Sequence, residues 1–342
     1  MGEVWNVWWV VPLVGAGSLV LTGALRRYAL ARSLLDLPNA RSSHSVATAR
    51  GGGLAIVASF LATLPVAASL DLLAGRALWA LLGAGAWVAA VGFVDDHRHI
   101  AARWRLLAHF AAAVWVLAWL GGAPPLALPG SVVDLGWLGH ALAALYLVWL
   151  LNLYNFMDGI DGIAGVEAIS VCVGGALLYG AAGEPTLGAV PLFLAAAVAG
   201  FLCWNFPPAR IFMGDVGSGF LGLVLGVLSL QAGWTTPELL WGWIILLGVF
   251  VVDATLTLLR RFVRGEKVYE AHRSHAYQYA ARRFGRHLPV TLCVAAINLL
   301  WLLPIALWVA LGGMSGVLGV MLAYVPLVAL AFVFGAGLPE GR

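Results

Sequence analysis

Five aspartates, Asp95, Asp96, Asp158, Asp161 and Asp215, stand out in a chain that otherwise keeps charge to a minimum. Carboxylates held together repel one another unless a cation joins them. An oxygen-only set suits Mg2+ or Mn2+. Mg2+ typically takes one or two carboxylates and fills its remaining positions with water and substrate phosphates, so the five cannot all be ligands. Asp158 and Asp161 each precede a glycine in "NFMDGIDGIAG", and glycine lets a backbone turn tightly and approach a ligand closely. In "GDVGSG", Asp215 stands just before a Gly/Ser turn that opens a helix, and a helix start offers free N–H groups to a phosphate. Blander readings exist for each motif. A lone Asp at a helix start is commonly a cap, Asp-Gly pairs are commonly turns, and Asp95–Asp96 suits a solvated helix end. Their joint appearance carries the weight.

The elements that must position these groups are membrane helices. The chain has 342 residues, 62% hydrophobic and only 10% charged, where a soluble domain carries about 25% charge. Eleven apolar runs are long enough to be candidate spans, at roughly 8–25, 52–70, 77–94, 106–121, 137–155, 163–180, 187–204, 217–231, 238–259, 290–312 and 315–336. The runs are continuous rather than alternating. The fold class expected is therefore all-α, a polytopic helical bundle of about eleven transmembrane helices forming a single integral membrane domain over 1–342. All but Arg76 of the 19 lysines and arginines fall in the odd-numbered connections or at the C-terminus, Arg41, Arg50 and Arg342 among them. By the positive-inside rule those loops and the C-terminus are cytoplasmic and the N-terminus is outside. The first run has no basic segment before it and reads as a retained anchor.

All five aspartates fall on that basic face. So do "LDLPNARSSHSVATARGGG" (residues 35–53) and "RGEKVYEAHRSHAYQ" (residues 264–278), the latter carrying His272, Arg273 and His275. A basic surface suits anionic lipid or a phosphorylated ligand, and no nucleic-acid partner is expected. The histidine and arginine cluster could hold a diphosphate; it equally suits an amphipathic helix lying on headgroups. Asp253 and Glu167 lie inside runs. Carboxylates inside a span are functional candidates by default; burial against Arg260 would equally explain Asp253, and hydration near the surface would explain Glu167. Cys172, Cys203 and Cys293 lie in apolar runs without metal-ligand spacing.

"VDD" (Val94–Asp96), "NLYNFMDGIDGIAG" (Asn152–Gly165) and "FMGDVGSGFLG" (Phe212–Gly222), in this order and topology, resemble the polyprenyl-phosphate N-acetylhexosamine-1-phosphate transferase superfamily, glycosyltransferase family 4. The resemblance covers nearly the whole chain. It implies transfer of a sugar 1-phosphate from a UDP-N-acetylhexosamine to undecaprenyl phosphate, giving undecaprenyl-diphospho-HexNAc and UMP, with Mg2+ required. It also implies a multi-pass protein of the bacterial inner membrane, active on its cytoplasmic face; family members are often homodimers. Carried over residue by residue, Asp215 matches the magnesium-binding aspartate. Asp95 and Asp96 match the aspartate pair near the lipid phosphate. Asn152, Asn155, Asp158 and Asp161 match the active-site loop, with Asp158 in a catalytic role and Asp161 near the uridine. Asn205 and Phe212 match nucleoside-pocket positions.

Two departures narrow the branch. The family's histidine motif is reduced to "RSHAYQ", where Tyr277 and Gln278 replace later histidines. "HSVATARGGG" lacks the lysine of the muramoyl-pentapeptide branch. The pattern looks more like the branch that starts O-antigen chains. The lipid phosphate is mostly dianionic at neutral pH, its second pKa being about 6, so no strong base is demanded. Direct attack, with Asp95 or Asp96 orienting the acceptor, is expected; a covalent phospho-aspartyl route is the rival. The rival class, an ion-coupled transporter, should show midplane polar breaks and paired repeats. Lys267 is the only lysine and no P-loop surrounds it.

Overall fold

The computed structural model describes residues 8–38, 46–98, 100–267 and 272–339. Arg41 and Arg342, used above for topology, lie outside them. The apolar runs become helices with short connections: α1 Val10–Ala31, α2 Gly53–Ser69, α3 Gly75–His97, α4 Ala102–Leu120, α5 Gly136–Met157, α6 Ile163–Ala181, α7 Ala189–Asn205, α8 Asp215–Thr235, α9 Pro237–Leu246, α10 Gly248–Val263, α11 Ala276–Phe284, α12 Leu288–Ile297, α13 Leu303–Ala310 and α14 Gly316–Val333. The protein is a multi-pass helical membrane protein. Eight of the described segments are long and apolar enough to cross a bilayer, and a ninth if α9 and α10 form one bent span. The other two expected runs are helices too. However, α2 has only 17 residues, and α4 carries Arg103 and Arg105 in its first turn.

The sequence expectation needs four amendments. Two short antiparallel pairs join the helices: β1 Leu35–Asp36 with β2 Thr48–Ala49, and β3 Leu126–Leu128 with β4 Ser131–Val133. The run at 238–259 is broken by a 68° bend between α9 and α10. Glu167 is fully buried rather than hydrated: its Oε2 accepts from Asn298 Nδ2 at 2.6 Å, and the backbone N–H of Phe250, freed by the bend, turns toward the same carboxyl. Asn298 opens a π-helical turn (Asn298–Leu302) between α12 and α13, the kind of break that an inserted polar contact produces. Asp253 does not pair with Arg260, which donates instead to the Ala336 carbonyl at 2.7 Å.

The shortest expected span, 217–231, turns out to be the 21-residue core helix α8, almost wholly buried against α2, α3, α5 and α9. Its glycines explain both facts. Within lipid there is no hydrophobic drive between helices, so close backbone approach and van der Waals packing hold them together. Gly92 of α3 shows how tight the fit is. A Cβ there would lie 2.7 Å from both the Asp215 carbonyl oxygen and Val216 Cα. That contact brings the end of α3, with Asp95 and Asp96, against the start of α8.

A candidate active site at one end of the bundle

Alternating helix direction collects the ends of α1, α3, α5, α7 and α10 with the starts of α2, α4, α6 and α8. The loops then lock to one another. Phe212 N donates to the Ala49 carbonyl at 2.8 Å, while Gly52 N and Gly53 N donate to the Phe212 and Met213 carbonyls, both at 2.9 Å. This zips the segment before α2 to the segment before α8. Gly214, at φ +76°, makes the turn into α8 in a backbone region that favours glycine.

Asp96 organises that turn. Its Oδ1 accepts from Asp215 N at 3.0 Å and its Oδ2 from Val216 N at 3.3 Å. Arg50 Nη2 sits 2.7 Å from Asp96 Oδ1 and 3.1 Å from Asp215 Oδ1. Burial works against the Arg50 charge, but Asp96, Asp215 and Asp36 outweigh it and raise the guanidinium above its ordinary pKa. Asp95 pairs with Arg105 Nη1 and accepts from Ile100 N at 2.7 Å. Arg105 Nη1 also lies 3.9 Å from Asp215 Oδ2, so Asp215 has a guanidinium on each side.

The expected loop 158–162 sits opposite. Asp161 Oδ2 accepts from Ala209 N at 3.0 Å, and Asp161 Oδ1 lies 3.2 Å from His287 Nδ1. Thr291 Oγ1 donates to the Asp161 carbonyl at 2.9 Å. Asn205 is buried and bridges two strands of loop, accepting from Gly162 N at 3.0 Å and donating to the Ile211 carbonyl at 2.9 Å. Asn155 Nδ2 donates to Ser218 Oγ at 3.0 Å. Asn152 Nδ2 donates to the Val148 carbonyl at 2.7 Å and lies 3.4 Å from His109 Nδ1.

These groups surround connected cavities. One of about 220 Å³ is lined by Asn155, Asp158, Asp161, Phe212, Asp215 and Ser218, and by Arg50, Asn205, Gln278 and His287. A second, of about 640 Å³, shares Asp161, Phe212, Gln278 and His287 and adds Arg273, Arg282 and Arg286. A small third pocket lies between α3, α4, α5 and α8 and holds Asp95, Arg105, His109, Asn152, Asn155 and Asp215. Asp158, at the end of α5, is pushed well above the usual carboxylate range by burial, then by the neighbouring charges of Asp215, Asp161 and Asp96, against which Arg50 only partly helps.

A divalent ion suits this donor set. Among the described residues no three His, Cys, Asp or Glu side chains form a cage. Mg2+ needs only one or two carboxylates when substrate phosphates supply other positions. Asp215 and Asp158 line one cavity, and the repulsion from Asp215 that adds to burial in raising the Asp158 pKa is what a cation between them would relieve.

Sequence reasoning and geometry part over the histidines. His275 is buried (2% exposed), 3.3 Å from Asp253, and lines neither large cavity. His272 takes Ser274 Oγ at 2.9 Å and stacks on His275, 4.8 Å between ring centroids. Arg273 does line the larger cavity. The histidine that faces both is His287, which sequence reasoning did not single out because it stands outside any expected motif. Arg50 and Arg105 were visible only as topology signals, although Arg105 lies one short loop beyond Asp95. His109, one helical turn further along α4, passed as part of a span.

Residues 78–233 match the family model described as Glycosyl transferase family 4. A phospho-N-acetylmuramoyl-pentapeptide-transferase from Synechococcus elongatus is 31% identical over 274 residues, 74% of this chain and 68% of that protein. This chain belongs to glycosyl transferase family 4. Two further relatives are similar over most of their length. A probable undecaprenyl-phosphate N-acetylglucosaminyl 1-phosphate transferase from Bacillus subtilis is 25% identical over 263 residues, 76% of this chain and 73% of its own. A decaprenyl-phosphate N-acetylglucosaminephosphotransferase from Mycobacterium tuberculosis is 28% identical over 325 residues, 83% and 79% respectively. Within family 4 the chain falls in the polyprenyl-phosphate N-acetylhexosamine-1-phosphate transferase superfamily.

Proposed function

We propose that the protein transfers N-acetylhexosamine 1-phosphate from a UDP-sugar to undecaprenyl phosphate at the cytoplasmic face of the inner membrane, the first membrane step of O-antigen or related surface polysaccharide synthesis. The observation that carries this reading is the meeting of Asp158 and Asp161, from the loop after α5, with Asp215, at the start of α8, around one cavity that Arg50 also lines. A lipid phosphate at headgroup depth and a soluble nucleotide sugar can both reach such a place.

In this reading Asp161, Phe212 and His287 hold the nucleoside end of the donor, with the ring of Phe212 offered to the uracil. Arg273, Arg282 and Arg286 face its anionic and sugar portion. The acceptor phosphate enters beside Arg105, His109 and Asn152. A phosphate oxygen of the lipid attacks the phosphorus bearing the sugar. The P–O bond to the bridging oxygen breaks, and UMP leaves with that oxygen. Lipid phosphate and UDP-sugar enter as dianions and both products leave as dianions, so no net proton moves. Asp215 and Asp158 would hold Mg2+, which supplies charge neutralisation between two anionic substrates. Asp95 and Asp96 are engaged with Arg105, Arg50 and the turn into α8, which fits an orienting role better than that of a free base.

Membranes containing the protein should release UMP from a UDP-N-acetylhexosamine only when polyprenyl phosphate and Mg2+ are both present. Asp215→Asn should abolish release while the protein still inserts. UMP release without polyprenyl phosphate would sink the reading. Several relatives carry the muramoyl-pentapeptide name, so UDP-MurNAc-pentapeptide belongs in the donor panel. The reduced histidine motif predicts that it is the poorer donor.

A further inference from the structure

Asp253 lies in the first half of α10, just beyond the 68° bend, and is 6% exposed. A carboxylate at such a place is costly unless it is paired or hydrogen-bonded. Its partners all belong to one neighbouring feature, apart from Thr257 on its own helix, whose Oγ1 donates to Oδ1 at 3.1 Å. Oδ1 accepts from Ala276 N at 2.9 Å and lies 3.3 Å from His275 Nδ1; Oδ2 accepts from Tyr277 N at 2.9 Å. Asp253 therefore binds the first amides of α11, which a helix leaves unpaired. Within α11 itself, Gln278 Oε1 accepts from His275 N at 3.2 Å and closes the same turn.

That turn reaches the site by two routes. Tyr277 Oη donates to the Phe156 carbonyl at 2.9 Å, one residue from Asn155 and two from Asp158. Gln278 lines both large cavities. The ring of His275 lies near-parallel to those of Tyr277 and Phe156, at 5.7 and 6.5 Å between centroids.

We propose that Asp253 is a positioning residue of the transfer reaction. It fixes the first turn of α11 on α10, and through Tyr277 and Gln278 it sets the end of α5 and the donor side of the cavity. His275 is part of that support rather than a ligand for the donor. The inference rests on the functional reading above, and its test separates the two.

The full-length protein in nanodiscs, without substrate, is compared by hydrogen exchange with Asp253→Ala, Asp253→Asn and Tyr277→Phe. Loss of Asp253 should speed exchange over 276–284 and also over 155–160, on the neighbouring helix end. Asp253→Asn keeps the oxygen that takes Ala276 and loses the one that takes Tyr277, so it should fall between wild type and Asp253→Ala. Under turnover, Asp253→Ala should raise the donor KM about tenfold and leave the acceptor KM within about twofold. Tyr277→Phe should reproduce part of that shift. Adding Tyr277→Phe to Asp253→Ala should add little, since coupled residues are non-additive. Should Asp253→Ala fail to insert, Asp253→Asn and Tyr277→Phe carry the same comparison. Wild-type exchange over 155–160 in the Asp253 variants, equal rises in donor and acceptor KM, or fully multiplicative effects would overturn the proposal. Absence of turnover in the wild type would instead overturn the functional reading, and the exchange result would still judge the positioning role.

Discussion

Arg50 Nη2 stands between Asp96 Oδ1, at 2.7 Å, and Asp215 Oδ1, at 3.1 Å. One cation from the loop before α2 thus joins the end of α3 to the start of α8, and it does so at the edge of the cavity that Asp158 and Asp161 share. The guanidinium offsets the repulsion between the two carboxylates it joins.

Arg50→Ala should lower kcat by roughly a hundredfold or more, the scale seen when one preorganised donor is removed from a charged site. Arg50→Lys should recover part of the loss, because one nitrogen, Nη2, reaches both carboxylates and a single ammonium can stand in its place. UMP release at saturating substrates measures both.

Asp158 should make the metal-free protein pH-sensitive. Its folded pKa is raised, so it disfavours folding when ionised. The wild type then has its full stability below the ordinary carboxylate range, about 4, and loses some as pH rises through the raised value. In EDTA, Asp158→Asn should therefore melt higher than wild type at pH 8, and the gap should narrow as pH falls toward 5. The same substitution should remove activity. Thermal unfolding in detergent across that range, with a lower melting point for the variant at pH 8, would contradict the assignment.

The histidines can be ranked. His287 faces both cavities and Asp161, while His272 lines neither. Loss of a hydrogen bond at a charged site is worth about 1.5–3 kcal/mol. His287→Ala should therefore raise the donor KM by about tenfold or more and leave the acceptor KM unchanged. His272→Ala should change either by less than about threefold. Steady-state kinetics with each substrate varied in turn decides the order.

Gly92→Val should cost the fold itself. The added Cβ meets the backbone of Asp215 and Val216, which cannot rotate away. Overpacking of this kind costs about 1–3 kcal/mol or more. A lower melting point together with lost activity is expected, whereas Gly75→Ala, where a Cβ meets nothing within 4 Å, should leave both unchanged.

Much of this was legible in the residues themselves. Eleven apolar runs became helices, because a backbone in lipid must satisfy its own hydrogen bonds and a helix does so locally. The five aspartates gathered at one end for a related reason: charge costs least where helices stop, and alternating spans bring every second stop to the same side. The order "VDD", "DGIDG", "GDVGSG" carried the family resemblance.

Pairing across loops was not legible. Nothing in the chain order says that Arg50 meets Asp96 and Asp215, that His287 rather than His275 faces the cavity, or that Asp253 holds the start of α11. The bend at 247–248 hid inside an apolar run because the groups that accommodate it, Glu167 and Asn298, come from other helices. Periodicity and composition report each segment's own preference for lipid or water. Which polar atom satisfies which is settled only when helices distant in sequence pack side by side, and for this protein that packing decided the contents of the site.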